Sequence, residues 1–82
     1  MAYWVYILQS QSTGQFYVGS AQHVERRLRR HNAGGARYTR SRGPWVLMHS
    51  EEHPTRGEAV AREQQIKRMK SRAYIESLIE KP

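Results

Sequence analysis

The chain has 82 residues, room for one small core and too few for two domains. Hydrophobic residues make up 38% and charged residues 26%, the balance of a globular domain and not of a disordered tail. Fourteen Lys+Arg against seven acids leave +7, and the lack of cysteine excludes a disulfide framework, a thiolate zinc site and a cysteine nucleophile. No apolar run approaches the ~20 residues of a membrane helix, and Met1 to Leu8 is too short and uncharged for a signal peptide. The cytoplasm is the expected compartment, with no membrane partner.

Trp4-Val5-Tyr6-Ile7-Leu8 is β-branched and aromatic, as is the Gln15-Phe16-Tyr17-Val18-Gly19 run beyond the polar Gln9 to Gly14. Together they predict a β-hairpin with a loop longer than two residues. From Ser20, a candidate N-cap, Ala21, Val24 and Leu28 recur at helical spacing until Gly34-Gly35 stops the helix. Ala36 to Pro44 reads as a basic loop, and Trp45 to Ser50 as a third strand ended by Glu51-Glu52-His53-Pro54. Thr55 and Glu58 form a capping box that opens a second helix running to about Lys70. Ser71 then caps a short helix over Arg72 to Glu80. The expected fold is α+β in one domain over residues 1–82. It is a three-stranded, mostly antiparallel sheet flanked by helices, in the order β-β-α-β-α-α.

Seven arginines and no acid lie between Arg26 and Arg42. Guanidinium forks match phosphate oxygens, and counterion release drives such a block onto a polyanion. Nucleic acid is therefore the expected partner, with Arg29, Arg30, Arg37, Arg40 and Arg42 tracking a backbone. Tyr38 and Trp45 are candidates to stack on an unpaired base, although Trp45, in a strand, is better placed to pack in the core.

Glu63 shares a helical stripe with Ala59 and Ile66, so its carboxylate points inward. A buried carboxylate needs a cation, either an arginine or a metal ion. Arg27 and His31 are four apart on the first helix. They lie about 80° and 40° from the mid-line between Val24 and Leu28, at the border of the apolar face. Tyr6 and Tyr17 would come from adjacent strands and, with matching faces, meet at one place. His23, His49 and His53 lack the spacing of a His-x-x-x-His pair.

These residues form a pattern that resembles the GIY-YIG nuclease superfamily, most closely its small stand-alone UPF0213 (YhbQ-like) group. Trp4-Val5-Tyr6 stands for Gly-Ile-Tyr, and Tyr17-Val18-Gly19 for Tyr-Ile-Gly. Val24 to Asn32 is similar to the helix with the active-site arginine, at Arg27. Ala36-Arg37-Tyr38-Thr39-Arg40 resembles a stretch of the stand-alone group, and Ala61 to Lys67 resembles the helix with the metal-binding glutamate, at Glu63. Trp4 departs from the first glycine, and Ser20 stands where some relatives have a lysine.

The resemblance implies a metal-dependent endonuclease that hydrolyses phosphodiester bonds, with DNA the expected substrate. Glu63 would hold one Mg²⁺ or Mn²⁺. Tyr17 would be the general base, helped by a neighbouring positive charge because free tyrosine titrates near pH 10. Arg27 would stabilise charge on the phosphate, Tyr6 would position water or phosphate, and His31 would contact a phosphate oxygen or relay a proton. The chain carries no motif for reading base edges, so cutting is expected to depend little on sequence, and on strand structure if on anything. Two rival readings stand beside this one: a nucleic-acid-binding module without catalysis, and an accessory subunit that needs a protein partner or a second copy.

Overall fold

The computed structural model describes residues 2–35 and 41–80. Its elements are β1 (Tyr3–Ser10), β2 (Phe16–Ala21), α1 (Val24–Asn32), β3 (Trp45–His53), α2 (Arg56–Met69) and α3 (Arg72–Glu80), in the expected α+β order. The sheet order is β2-β1-β3, antiparallel throughout. β1 is therefore the central strand, and its Val5-Tyr6-Ile7-Leu8 run is buried on both faces. That is why it reads as continuous apolar sequence and not as an alternation.

The side-chain period of two sorts β1 into two cores. Val5 and Ile7 join Val18 and the buried Ala59, Ile66 and Leu78 of α2 and α3. Tyr6 and Leu8 join Trp45, with Tyr17, Val24 and Leu28 packed around them, which seats α1 on the opposite face. Trp45 is buried there, as its place in a strand predicts.

Local chemistry sets the ends of these elements. The Ser10 hydroxyl accepts from the backbone N–H groups of Ser12 and Thr13, and Gly14 takes a positive φ of 76°, which closes the hairpin. The same hydroxyl donates to the Arg42 carbonyl, tying the hairpin to the segment before β3. α1 ends in a Schellman pair: Gly35 N–H to the Arg30 carbonyl and Gly34 N–H to the His31 carbonyl, with Gly34 at φ 81°. The Asn32 side chain then accepts from Trp45 N–H and donates to its carbonyl, fastening α1 to β3. The Thr55 hydroxyl caps α2 by accepting from Glu58 N–H at 3.2 Å.

Two boundaries differ from the sequence reading. α1 begins at Val24, with His23 at the N-cap position, and Ser20 lies inside β2 paired with Val5. Ser20 has the chemistry of a cap, but the hairpin register claims its backbone. β3 runs three residues past Ser50, because Glu51, Glu52 and His53 pair with Val5, Trp4 and Tyr3. Polarity made this segment look like a loop. In the fold the Arg62 fork meets the Glu51 carboxylate at 2.9 and 3.1 Å and stabilises it on the inner face of the strand. Arg62 also donates to the Tyr74 hydroxyl at 3.0 Å, so one guanidinium joins β3, α2 and α3.

Candidate active site

The hairpin register pairs Tyr6 with Gly19 and Leu8 with Tyr17, so both tyrosines project from the α1 face. Their ring centroids are 6.3 Å apart. The glycine allows this approach. A Cβ on Gly19 would lie 2.6 Å from the Tyr6 hydroxyl oxygen and 3.1 Å from the Tyr17 ring. Gly19 is absent from the positive-φ glycines, so the position needs empty space and not special backbone freedom.

α1 brings His31 onto the pair. Its ring is buried, 4.7 Å from the Tyr17 ring, and its Nε2 shares a 3.2 Å hydrogen bond with the Tyr6 hydroxyl. Burial, helped by the charges of Arg27 and Arg30, lowers the His31 pKa and favours the neutral ring. Burial likewise pushes the Tyr6 phenol well above its ordinary value. The neighbouring Tyr17 and Glu63 add to this, and the positive charge of Arg27 opposes them. Tyr6 therefore keeps its proton across the physiological range. His31 is thus buried against both tyrosine rings, with Tyr6 at its Nε2.

Glu63 approaches from α2, across the sheet edge. Its side chain is 14% exposed. The Ser20 hydroxyl donates to Oε1 at 2.7 Å, and Lys67 Nζ donates to Oε2 at 2.6 Å. The cation beside the inward carboxylate is thus a lysine one helical turn away, and Lys67 is 45% exposed. Between β2, α1 and the start of α2 opens a cleft of about 300 Å³ lined by Ser20, Gln22, Arg27 and Arg56 among others. It presents two guanidiniums beside the group that holds Glu63.

Five of the predicted residues thus converge from four elements: Tyr6, Tyr17, Arg27, His31 and Glu63. Arg29 and Arg30 stand exposed on the outer face of α1, and Arg42 lies beside the hairpin turn, its carbonyl taken by Ser10 and Ser12. Arg37, Tyr38 and Arg40 lie outside the described residues. Three contributors were missed from sequence. Lys67 was legible as the i+4 partner of Glu63. A glycine within a strand signalled the close approach at Gly19. Nothing local could show that Ser20 reaches a residue 43 positions away.

The donors suit a hard cation that keeps most of its waters. Among the described residues, no three His, Cys, Asp or Glu are grouped to cage a metal. One carboxylate, fixed by the Ser20 that borders a phosphate-sized cleft, is a protein contribution that Mg²⁺ commonly uses. Binding there requires only that Lys67, on a flexible stem, release one oxygen.

Comparison with known proteins agrees with this geometry. The GIY-YIG catalytic domain family matches residues 2–75. A UPF0213 protein of Halobacterium salinarum is 45% identical over 75 residues, covering 90% of this chain and 95% of the relative. A UPF0213 protein of Staphylococcus aureus is 42% identical over 67 residues, 80% of each chain. The solution NMR structure of a UPF0213 protein from Bacillus halodurans superposes with a TM-score of 0.60 at 39% identity, covering 96% of this chain and 83% of that one. On these matches the chain belongs to the GIY-YIG family, among its small UPF0213 members.

Proposed function

We propose that this protein is a metal-dependent endonuclease that hydrolyses phosphodiester bonds in DNA with little sequence preference. The observation that carries the reading is the grouping of the Tyr6–Tyr17–His31 cluster with Arg27, on the wall of a cleft that Arg56 also lines, and with Glu63, held by the Ser20 that borders the same cleft. What separates this reading from a domain that only binds nucleic acid is the metal that Glu63 would take in place of its Lys67 partner.

Each residue then has a physical task. Glu63 would hold one Mg²⁺ or Mn²⁺, which supplies Lewis-acid stabilisation of the phosphate and leaving oxygen when bound. Arg27, on the cleft wall, offsets the negative charge that builds on the phosphate in the transition state. Tyr6 holds its proton and so donates a hydrogen bond, which makes it an orienting group and a poor base. Tyr17 is the phenol left to take a proton from the attacking water. His31 fixes Tyr6, and Ser20 fixes Glu63. Arg29 and Arg30, exposed on α1, attract the backbone.

The test is a cleavage panel of single-stranded, duplex, flap and branched DNA and single-stranded RNA. Each is incubated with Mg²⁺, Mn²⁺ or EDTA, for the wild type and for Glu63→Gln. Metal-dependent cutting of DNA that is lost in the variant, with binding intact or tighter, is the expected result. Equal salt-sensitive binding by both proteins without cutting would overturn the reading in favour of a binding module.

A further inference from the structure

A second cavity lies on the other side of Glu63. Glu63 and Lys67 share a face of α2 at i and i+4, and Lys70 caps the end of the helix about 10 Å along the axis from Glu63. Below that face, between the free edge of β2 and the α2–α3 junction, runs a groove of about 490 Å³, within the ~300–1,000 Å³ range of small-molecule sites. Its floor is apolar: Phe16, Val18, Ile66 and Ile75. Its rim is cationic, with Lys67, Lys70 and Arg72, and none of its lining residues is acidic. Tyr17 lines it too, and Lys67 bridges from it to Glu63, so the groove is continuous with the candidate site.

The rim is also built in advance. Arg72 donates to the Gly14 carbonyl at 2.9 Å and lies over the Phe16 ring, 4.7 Å from its centroid. Its guanidinium covers one face of that ring, and its Nε lies 3.7 Å from the Glu76 carboxylate, an exposed pair that a phosphate can replace. Lys70 sits at the left-handed C-cap of α2, φ 46° and ψ 39°, where its side chain leaves the helix beside the groove.

An apolar floor under a positive rim fits an occupant that is flat and uncharged at one end and anionic at the other. We propose that the groove holds one unpaired nucleotide of the substrate strand next to the cut, its base against Phe16 and Ile75 and its phosphate on Lys70 and Arg72. This rests on the nuclease reading and gives it a substrate class. A base inside a duplex is stacked and paired and cannot enter, so the enzyme acts on single strands and on junctions with an unpaired base, and poorly on intact duplex. Stacking on side chains tolerates any base, which matches weak sequence preference.

Two measurements test the subsite apart from the chemistry. In the first, a single abasic residue is walked along a single-stranded DNA substrate. Cleavage should slow about 5- to 100-fold at one position beside the cut and little elsewhere, the worth of one stacked base. The Lys70→Gly variant suits the left-handed cap and so keeps the fold. It should lower the salt slope of binding by about 1 and raise KM with kcat held. In the second, Glu63→Gln protein is photocrosslinked to single-stranded DNA carrying 5-iodouracil, a readout that needs no cutting. The crosslink should fall on Phe16, whereas one on Tyr17 alone, at the reacting centre, overturns the subsite. Cutting with no abasic effect, or crosslinks confined to Arg26–Arg30, overturns the subsite and leaves the nuclease standing. A crosslink on Phe16 in a protein that cuts nothing overturns the nuclease and keeps the subsite.

Discussion

Gly19→Ala offers a sharp test of how the site is assembled. The added Cβ would sit 2.6 Å from the Tyr6 hydroxyl and 2.7 Å from the ring carbon that bears it, against an ordinary contact limit of 3.4 Å. Tyr6 is almost fully buried and held by His31, so it cannot swing into solvent. The phenol or the strand must give way by about 0.8 Å, the difference between 3.4 and 2.6 Å. Overpacking of this kind costs about 1–3 kcal/mol, or roughly 5–20 °C in Tm for a domain of this size. The larger effect falls on the chemistry, because misplacing a catalytic group by ~1 Å costs about 100-fold. We expect kcat to fall by about two orders of magnitude with KM within a few fold. DNA binding should be retained, and thermal unfolding should stay cooperative. The assays are steady-state cleavage of a fluorescent oligonucleotide in Mg²⁺ and a circular-dichroism melt. A variant that melts within a degree of wild type and cuts at the same rate would show that the phenol does not depend on the space at Gly19.

Further tests follow from other contacts. Tyr17→Phe should reduce kcat by about 10²–10⁴ and leave binding nearly unchanged; wild-type cutting would remove Tyr17 from the role of base. Lys67→Met frees one Glu63 oxygen, so the Mg²⁺ concentration for half-maximal cutting should fall about two- to fivefold, the worth of an exposed ion pair. An unchanged midpoint would mean that Lys67 does not compete for the carboxylate. The Arg62 hydrogen bonds hold Glu51 at about 2, well below the ordinary carboxylate value of 4.5. A folded-state value below the unfolded one stabilises the protein above pH ~4.5, and that stability drains away as pH falls toward 2. Glu51→Gln should therefore cost up to about 3 kcal/mol at neutral pH and nearly nothing at pH 2. A gap between the two melting curves that persists at pH 2 would refute the assignment.

The sequence by itself determined the order of elements, because hydrophobic period, capping residues and glycines act over a few positions. Thr55 and Gly34-Gly35 mark helix ends from their own chemistry alone, and the central strand shows in the unbroken Val5-to-Leu8 run. Tyr6, Tyr17, Arg27, His31 and Glu63 stood out by type and place, but what joined them into one candidate site was the resemblance to the GIY-YIG pattern. What those side chains touch was decided by the tertiary structure. Only the hairpin register puts Tyr6 and Tyr17 on one face and takes Ser20 from a helix cap to a strand, where it holds Glu63. Only the pairing with β1 carries β3 to His53, with the Arg62 fork compensating an acid that looks like a loop residue. The groove beside Glu63 is likewise invisible in one dimension. Phe16, Ile66 and Ile75 read simply as core residues, and their shared open face exists because β2 is an edge strand and α3 turns away after Lys70.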